Sequence, residues 1–124
     1  MTRRVLDVGN CDYDHGAIRA LIQRHCTAEV VRAHRQADAL EKLKEGPFDL
    51  VLVNRVFDED GSEGLDLIRA MKADNDLTQV PVMLLTNYAE HQQQAALEGA
   101  VVGFGKGALK DPQTWDQLHP YLSE

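Results

Sequence analysis

Two stretches of this chain, DLVLV at 49–53 and VPVMLLT at 80–86, carry apolar residues side by side instead of alternating them with polar ones. A strand with one wet face alternates; a strand covered on both faces has no polar side to show. Both runs have strand length, so they predict inner strands of a sheet sandwiched between helices. This constrains the fold more than any other feature of the sequence.

The remaining pattern agrees. Val5 to Val8 opens the chain as a further apolar run, with Asp7 an odd charge inside it. A carboxylate in a buried strand needs a partner or an opening. Ile18, Leu21, Ile22 and His25 then recur at helical spacing. AEVVRAH is a short strand, and Ala37, Leu40 and Leu43 mark a helix stopped by Gly46-Pro47. A polar loop from Phe57 to Ser62 leads into a helix carrying Leu65, Leu67, Ile68 and Met71. AEHQQQAALEGA is a weak helix ending at Gly99, and VVGF a short strand interrupted by glycine. Asp111 followed by Pro112 starts a last helix, with an N-cap and a proline in its first turn; Trp115, Leu118 and Leu122 form its stripe. The order βαβαβαβαβα predicts an α/β fold, a flavodoxin-like (βα)5 three-layer sandwich with a parallel sheet of order 2-1-3-4-5. Residues 1–124 are expected to form one domain, with no output domain after Glu124.

A formal net charge of −7 argues against a nucleic-acid surface, which needs a basic footprint. No apolar run is long enough to span a bilayer, and no signal peptide is evident. Cys11 and Cys26 are too few for a disulfide framework, so a reduced cytoplasmic setting is expected. The five histidines show no zinc spacing.

The segments FDLVLVN, GLDLIRAMKAD, VPVMLLTNYAE and EGAVVGFGKG resemble, in order, those of the receiver domain of bacterial two-component response regulators. The resemblance covers nearly the whole chain. It implies a site at the carboxyl ends of the strands, where Gly9, Asn10, Asn54, Thr86 and Lys106 fall. In receivers the position of Asn54 is an aspartate that accepts a phosphoryl group. A carboxamide oxygen is uncharged and not a useful nucleophile. The receiver's acidic pair, which holds Mg²⁺, falls on Gly9 and Asn10, and its third ligand, a backbone carbonyl, on Val56. Mg²⁺ usually requires at least one or two carboxylates, so its binding is expected to be weak or absent. Thr86 and Lys106 keep the receiver's hydroxyl and ammonium, and the aromatic switch position falls on Gly103 or Phe104.

These departures imply an atypical receiver, a pseudo-receiver lacking the phosphoacceptor aspartate. It is expected to be no enzyme but a stand-alone, phosphorylation-independent protein-interaction module in phosphorelay signalling. The expected partner is a histidine kinase or another signalling protein, met through the fourth helix, fifth strand and fifth helix; a homodimer is a second option. Without a local acid cluster, Lys106 is expected to hold an anion without a metal, or to bond Asn54 Oδ1. One alternative is phosphotransfer to a substitute acid, Asp12, Asp58 or Asp60; another is a small-anion-binding flavodoxin-like domain. Asn54→Asp alone is expected to leave phosphorylation inefficient, and adding Gly9→Asp and Asn10→Asp to do better.

Overall fold

The computed structural model describes residues 2–123. Strands β1 (Arg3–Val8), β2 (Ala28–Ala33), β3 (Leu50–Asn54) and β4 (Val82–Leu85) alternate with helices α1 (Asp12–His25), α2 (Gln36–Glu45), α3 (Gly64–Ala73), α4 (Ala89–Leu97) and α5 (Pro112–Leu122). All strand pairs are parallel, in the order β2-β1-β3-β4. Alternate residues of each strand enter two separate cores. Leu6, Val8, Val51 and Val53 meet Ala39, Leu43, Leu67, Ile68 and Ala95 from α2, α3 and α4. Val5, Leu50, Leu52 and Met83 meet Ile18, Leu21, Ile22, Leu118 and Leu122 from α1 and α5. β3 and β4 are buried on both faces throughout, as their unbroken apolar sequences require.

In detail the structure departs from the pattern of the sequence at several residues. In α2 the buried small residue is Ala39, while Ala37 is exposed. His25 lies at the surface and stacks on Trp115 with ring centroids 4.5 Å apart. Asp111 caps α5 as expected, accepting from the Gln113 amide at 3.0 Å.

The expected fifth strand is reduced to one parallel bridge, Val101 to Met83. The cause is a side chain of α4. Val101 N donates to Val82 O at 2.9 Å, so the next rung of a parallel ladder would join Gly103 N to Leu84 O. Gln92 takes both groups instead: its Nε2 donates to Leu84 O at 2.8 Å, and its Oε1 accepts from Gly103 N at 3.0 Å. The carboxamide thus bridges β4 and the 101–104 segment in place of that rung. Phe104 nevertheless reaches the α1/α5 core, and its carbonyl accepts from Thr86 N at 3.1 Å.

Candidate functional site

The carboxyl ends of β1, β3 and β4 converge where an open α/β sheet usually binds its ligand. β1 is followed by Gly9, which has φ +80°, a left-handed conformation that favours glycine. Its carbonyl turns toward β3 and accepts two hydrogen bonds, from Asn54 Nδ2 at 2.9 Å and from the Asp58 amide at 2.9 Å. Above Gly9 sits the ring of Phe57, almost wholly buried in the α2/α3/α4 core. A carbon added at Gly9 would lie 2.8 Å from Phe57 Cγ and overlap Cδ1. Gly9 therefore answers two demands at once, the backbone turn and the ring.

Asn10 is buried but does not face Asn54. Its Nδ2 donates to Asp7 Oδ1, and its Oδ1 has no hydrogen-bond partner among the described residues. Asp7, fully buried on the α1/α5 side of β1, also meets His15 Nδ1 of α1 at 2.7 Å. Burial pushes the Asp7 carboxyl upward, while the hydrogen bonds from His15 and Asn10 and the charges of His15 and Arg32 pull it down. This cluster accounts for the charge that looked out of place within the first strand. The signal was legible as a strand-interior acid; its partners, three and eight residues further on, were not.

Thr86 and Lys106 also have other partners. Thr86 Oγ1 accepts from the Tyr88 amide at 3.2 Å and lies 3.3 Å from His91 Nδ1. Lys106 Nζ pairs with Asp14 Oδ2 of α1 at 2.9 Å. In place of the expected bond from Lys106 to Asn54 Oδ1 there is this ion pair, with a single carboxylate from α1 that the sequence did not place there. Asn54, Thr86 and Lys106 do share a shallow cleft of about 190 Å³, completed by Arg55, Val56, Leu85, Asn87 and Tyr88.

None of the candidate substitute acids lines that cleft. Asp12 is exposed and bound to Arg32 at 2.6 Å, and that guanidinium holds its carboxyl below the usual range. Asp58 is exposed, and only its backbone amide reaches Gly9. Asp60 accepts from the Ser62 amide at 2.9 Å, and hydrogen bonding from the Ser62 side chain, together with that amide, lowers its carboxyl. The third acid of that loop, Glu59, is held by Arg35 at 2.8 Å.

No protein-family model matches the chain. Over 79 residues it is 35% identical to the chemotaxis protein CheY-3 of Vibrio cholerae, in two O1 strains. That stretch takes in 59% of this chain and 59% of the relative, so the match spans less than two thirds of the relative's length. Among solved structures, chemotaxis protein CheY4 of Vibrio cholerae superposes with a TM-score of 0.81 at 21% identity, over 98% of this chain and 100% of that one. The phosphorylated cyanobacterial phytochrome response regulator RcpA does so with a TM-score of 0.81 at 15% identity, over 99% and 96%. The fold is that of a CheY-like receiver.

In this receiver fold the positions that the resemblance assigns to the acidic pair and the acceptor do not fit Mg²⁺. Gly9 offers no side chain, Asn10 is turned to Asp7, and Asn54 turns its nitrogen to Gly9 O. The space over Gly9 is filled by an aromatic ring. Among the described residues no group of three or more His, Cys, Asp or Glu could hold a metal ion. No helix among them is long and apolar enough to cross a membrane.

Proposed function

We propose that this chain is an atypical receiver: a phosphorylation-independent protein-interaction module in two-component signalling, without enzymatic activity of its own. The observation that carries the reading is the seating of Phe57 on Gly9, with the Asn54 amide bonded to Gly9 O. A phosphorylation switch needs an acceptor, a cation beside it and a differential contact that shifts two states. Here the position matching the acceptor bears an amide, a side chain at position 9 of the matching acidic pair would meet a ring, and Thr86 and Lys106 are engaged by His91 and Asp14.

The partner surface of this reading is the face formed by α4, the 101–104 segment and α5, with a kinase or another signalling protein, or a second copy, as the partner. Leu97 and Val102 support it: they are 87% and 66% exposed, large apolar side chains on adjoining elements. The test is an amide NMR titration with Mg²⁺ followed by beryllofluoride. No shift at Asn54, Thr86 or Lys106 is expected. Saturable, Mg²⁺-dependent shifts at all three would overturn the reading, as would an acid-stable, hydroxylamine-labile phosphate on Asp12, Asp58 or Asp60 after acetyl phosphate treatment.

A second reading is favoured by one observation: the cleft at Asn54 is lined by Arg55 and Lys106 and by no carboxylate. A small anion held there without a metal would give shifts with inorganic phosphate alone that Mg²⁺ does not change.

A further inference from the structure

Of the sheet's two edges, one is covered. The outer side of β4 is met by the 101–104 segment, through the Val101 bridge and the Gln92 carboxamide. β2 has β1 on one side and no strand on the other among the described residues. Which of its backbone groups are left over follows from two hydrogen bonds. Arg3 N donates to Thr27 O at 3.0 Å, and Gly9 N to Ala33 O at 2.9 Å. Residues 27 and 33 therefore turn their backbones to β1, and by the alternation of a strand Ala28, Val30 and Arg32 turn theirs outward. Gln23 Nε2 takes up Ala28 O at 3.0 Å. The backbone amides and carbonyls of Val30 and Arg32 have no partner among the described residues.

Proteins commonly guard such an edge with proline, a bulge or charges held out over it. β2, AEVVRA, has no proline and pairs with β1 residue for residue, without a bulge. Its charges are drawn back onto the chain. Arg32 is bound to Asp12 at 2.6 Å and to Asn10 O at 2.9 Å, and Glu29 lies 3.7 Å from Arg4. Beside the edge, a hollow of about 370 Å³ lies between the end of β2 and α2. Its α2 wall carries Asp38, Glu41 and Glu45, spaced to share one face of the helix, against Lys42. None of these acids has an ion-pair partner among the described residues.

These observations select the occupant. Open amides and carbonyls at a strand edge are completed by an extended chain, whose backbone supplies affinity and whose alternate side chains supply selectivity. An acidic wall along one face of the added strand favours cations there. The same wall repels a nucleic acid or an anionic membrane. It also disfavours a second copy, because two copies joined edge to edge would bring their α2 acids to the same side of the joined sheet.

We propose that the open edge of β2 takes up an extended segment of a partner protein as an added strand, with lysine or arginine at every second position. The basic side chains would lie on the face of Val31, which packs toward α2, and meet Asp38, Glu41 and Glu45. The intervening side chains would lie on the face of Ala28 and Val30, which pack against the α1/α5 core, and are expected to be apolar. This edge is at the opposite side of the sheet from β4, so the site stands or falls separately from the α4 face.

The test uses the full chain, ¹⁵N-labelled, and a synthetic peptide of about eight residues, roughly 26 Å when extended, alternating lysine with valine. A glutamate-for-lysine peptide and a peptide N-methylated along its backbone serve as controls. The lysine peptide is expected to shift amides of residues 28–34 and 36–45. Hydrogen exchange at the Val30 and Arg32 amides should slow at least about tenfold on binding, the signature of an added strand. Affinity should fall as salt rises from about 50 to about 500 mM. In the double variant Glu41→Lys/Glu45→Lys, both at exposed positions, it should drop at least about tenfold while amides of the sheet keep their positions. Absence of binding at millimolar peptide would overturn the proposal. So would equal binding by either control peptide, unchanged exchange at Val30 and Arg32, shifts centred on Leu97 and Val102, or an undiminished affinity of the double variant. A dimer of the chain alone that protects the same two amides would assign the edge to a second copy and overturn it as well.

Discussion

Lys106 Nζ lies 2.9 Å from Asp14 Oδ2, so the cation at the sheet's carboxyl edge is tied to the first helix instead of to the end of β3. The two side chains are 30% and 21% exposed, and solvent weakens a pair at such a position. Asp14→Asn is therefore expected to lower stability by about 1 kcal/mol or less. Its larger effect should be on the cleft at Asn54. A released Lys106 can turn toward Thr86, and inorganic phosphate should then shift the Thr86 and Asn87 amides more strongly than in the parent. An unchanged phosphate response would mean that the pair does not restrain the lysine.

Restoring carboxylates by substitution should fail for a steric reason. Asn54→Asp alone is expected to give no tight Mg²⁺ binding, measured by calorimetry. Gly9→Asp must place a side chain at φ +80° and against the Phe57 ring, and a cost of about 2–4 kcal/mol is expected in urea unfolding. Adding Gly9→Asp and Asn10→Asp to Asn54→Asp is accordingly expected to help less than the sequence alone suggests. Removing the obstacle with Phe57→Ala opens the core, at about 3–5 kcal/mol.

Gln92→Ala removes the rung between β4 and the 101–104 segment. Leu84 O and Gly103 N must then find each other or remain unpaired, and a stability loss of about 1–2 kcal/mol is expected. Hydrogen exchange at the Gly103 amide gives a local check. It should quicken in the variant; unchanged protection there would show that Gln92 is not what holds that segment.

Asp7 predicts a particular pH dependence. Burial raises its carboxyl above the ordinary 3.8, against the pull of His15, Asn10 and Arg32. An acid with a raised folded value keeps its proton longer in the folded state. Its stabilising contribution is then complete below the unfolded value and is lost as pH rises through the folded one. The stability of the parent minus that of Asp7→Asn should therefore be greatest at about pH 3.5 and decline above about pH 4. Urea unfolding of both proteins across that range measures it, and a difference that grows with pH would reverse the assignment.

How far the sequence could be read follows from where its signals lie. β3 and β4 were plain because burial on both faces leaves only apolar residues. The α5 start was plain because Asp111 and Pro112 are local signals. The fifth strand misled because VVGF has strand composition, while what displaces it is one glutamine on a helix about ten residues earlier. The places of Gly9, Asn10, Asn54, Thr86 and Lys106 along the chain were legible from the expected strand ends together with the receiver resemblance. Their partners were not. Asp14 and Lys106 are brought together only by packing α1 against the far end of the sheet, and nothing in the local pattern around Phe57 says that its ring turns back over Gly9.

That ring has a consequence for the history of the protein. With glycine at 9, an aromatic at 57 is accommodated and adds to the core; once it is there, any side chain at 9 is obstructed. A side chain placed at 9 with Phe57 in place, or Phe57 cut back with glycine at 9, is each expected to fold less well than the parent. Such an arrangement behaves as a ratchet. A side chain at position 9 therefore needs positions 9 and 57 to change together.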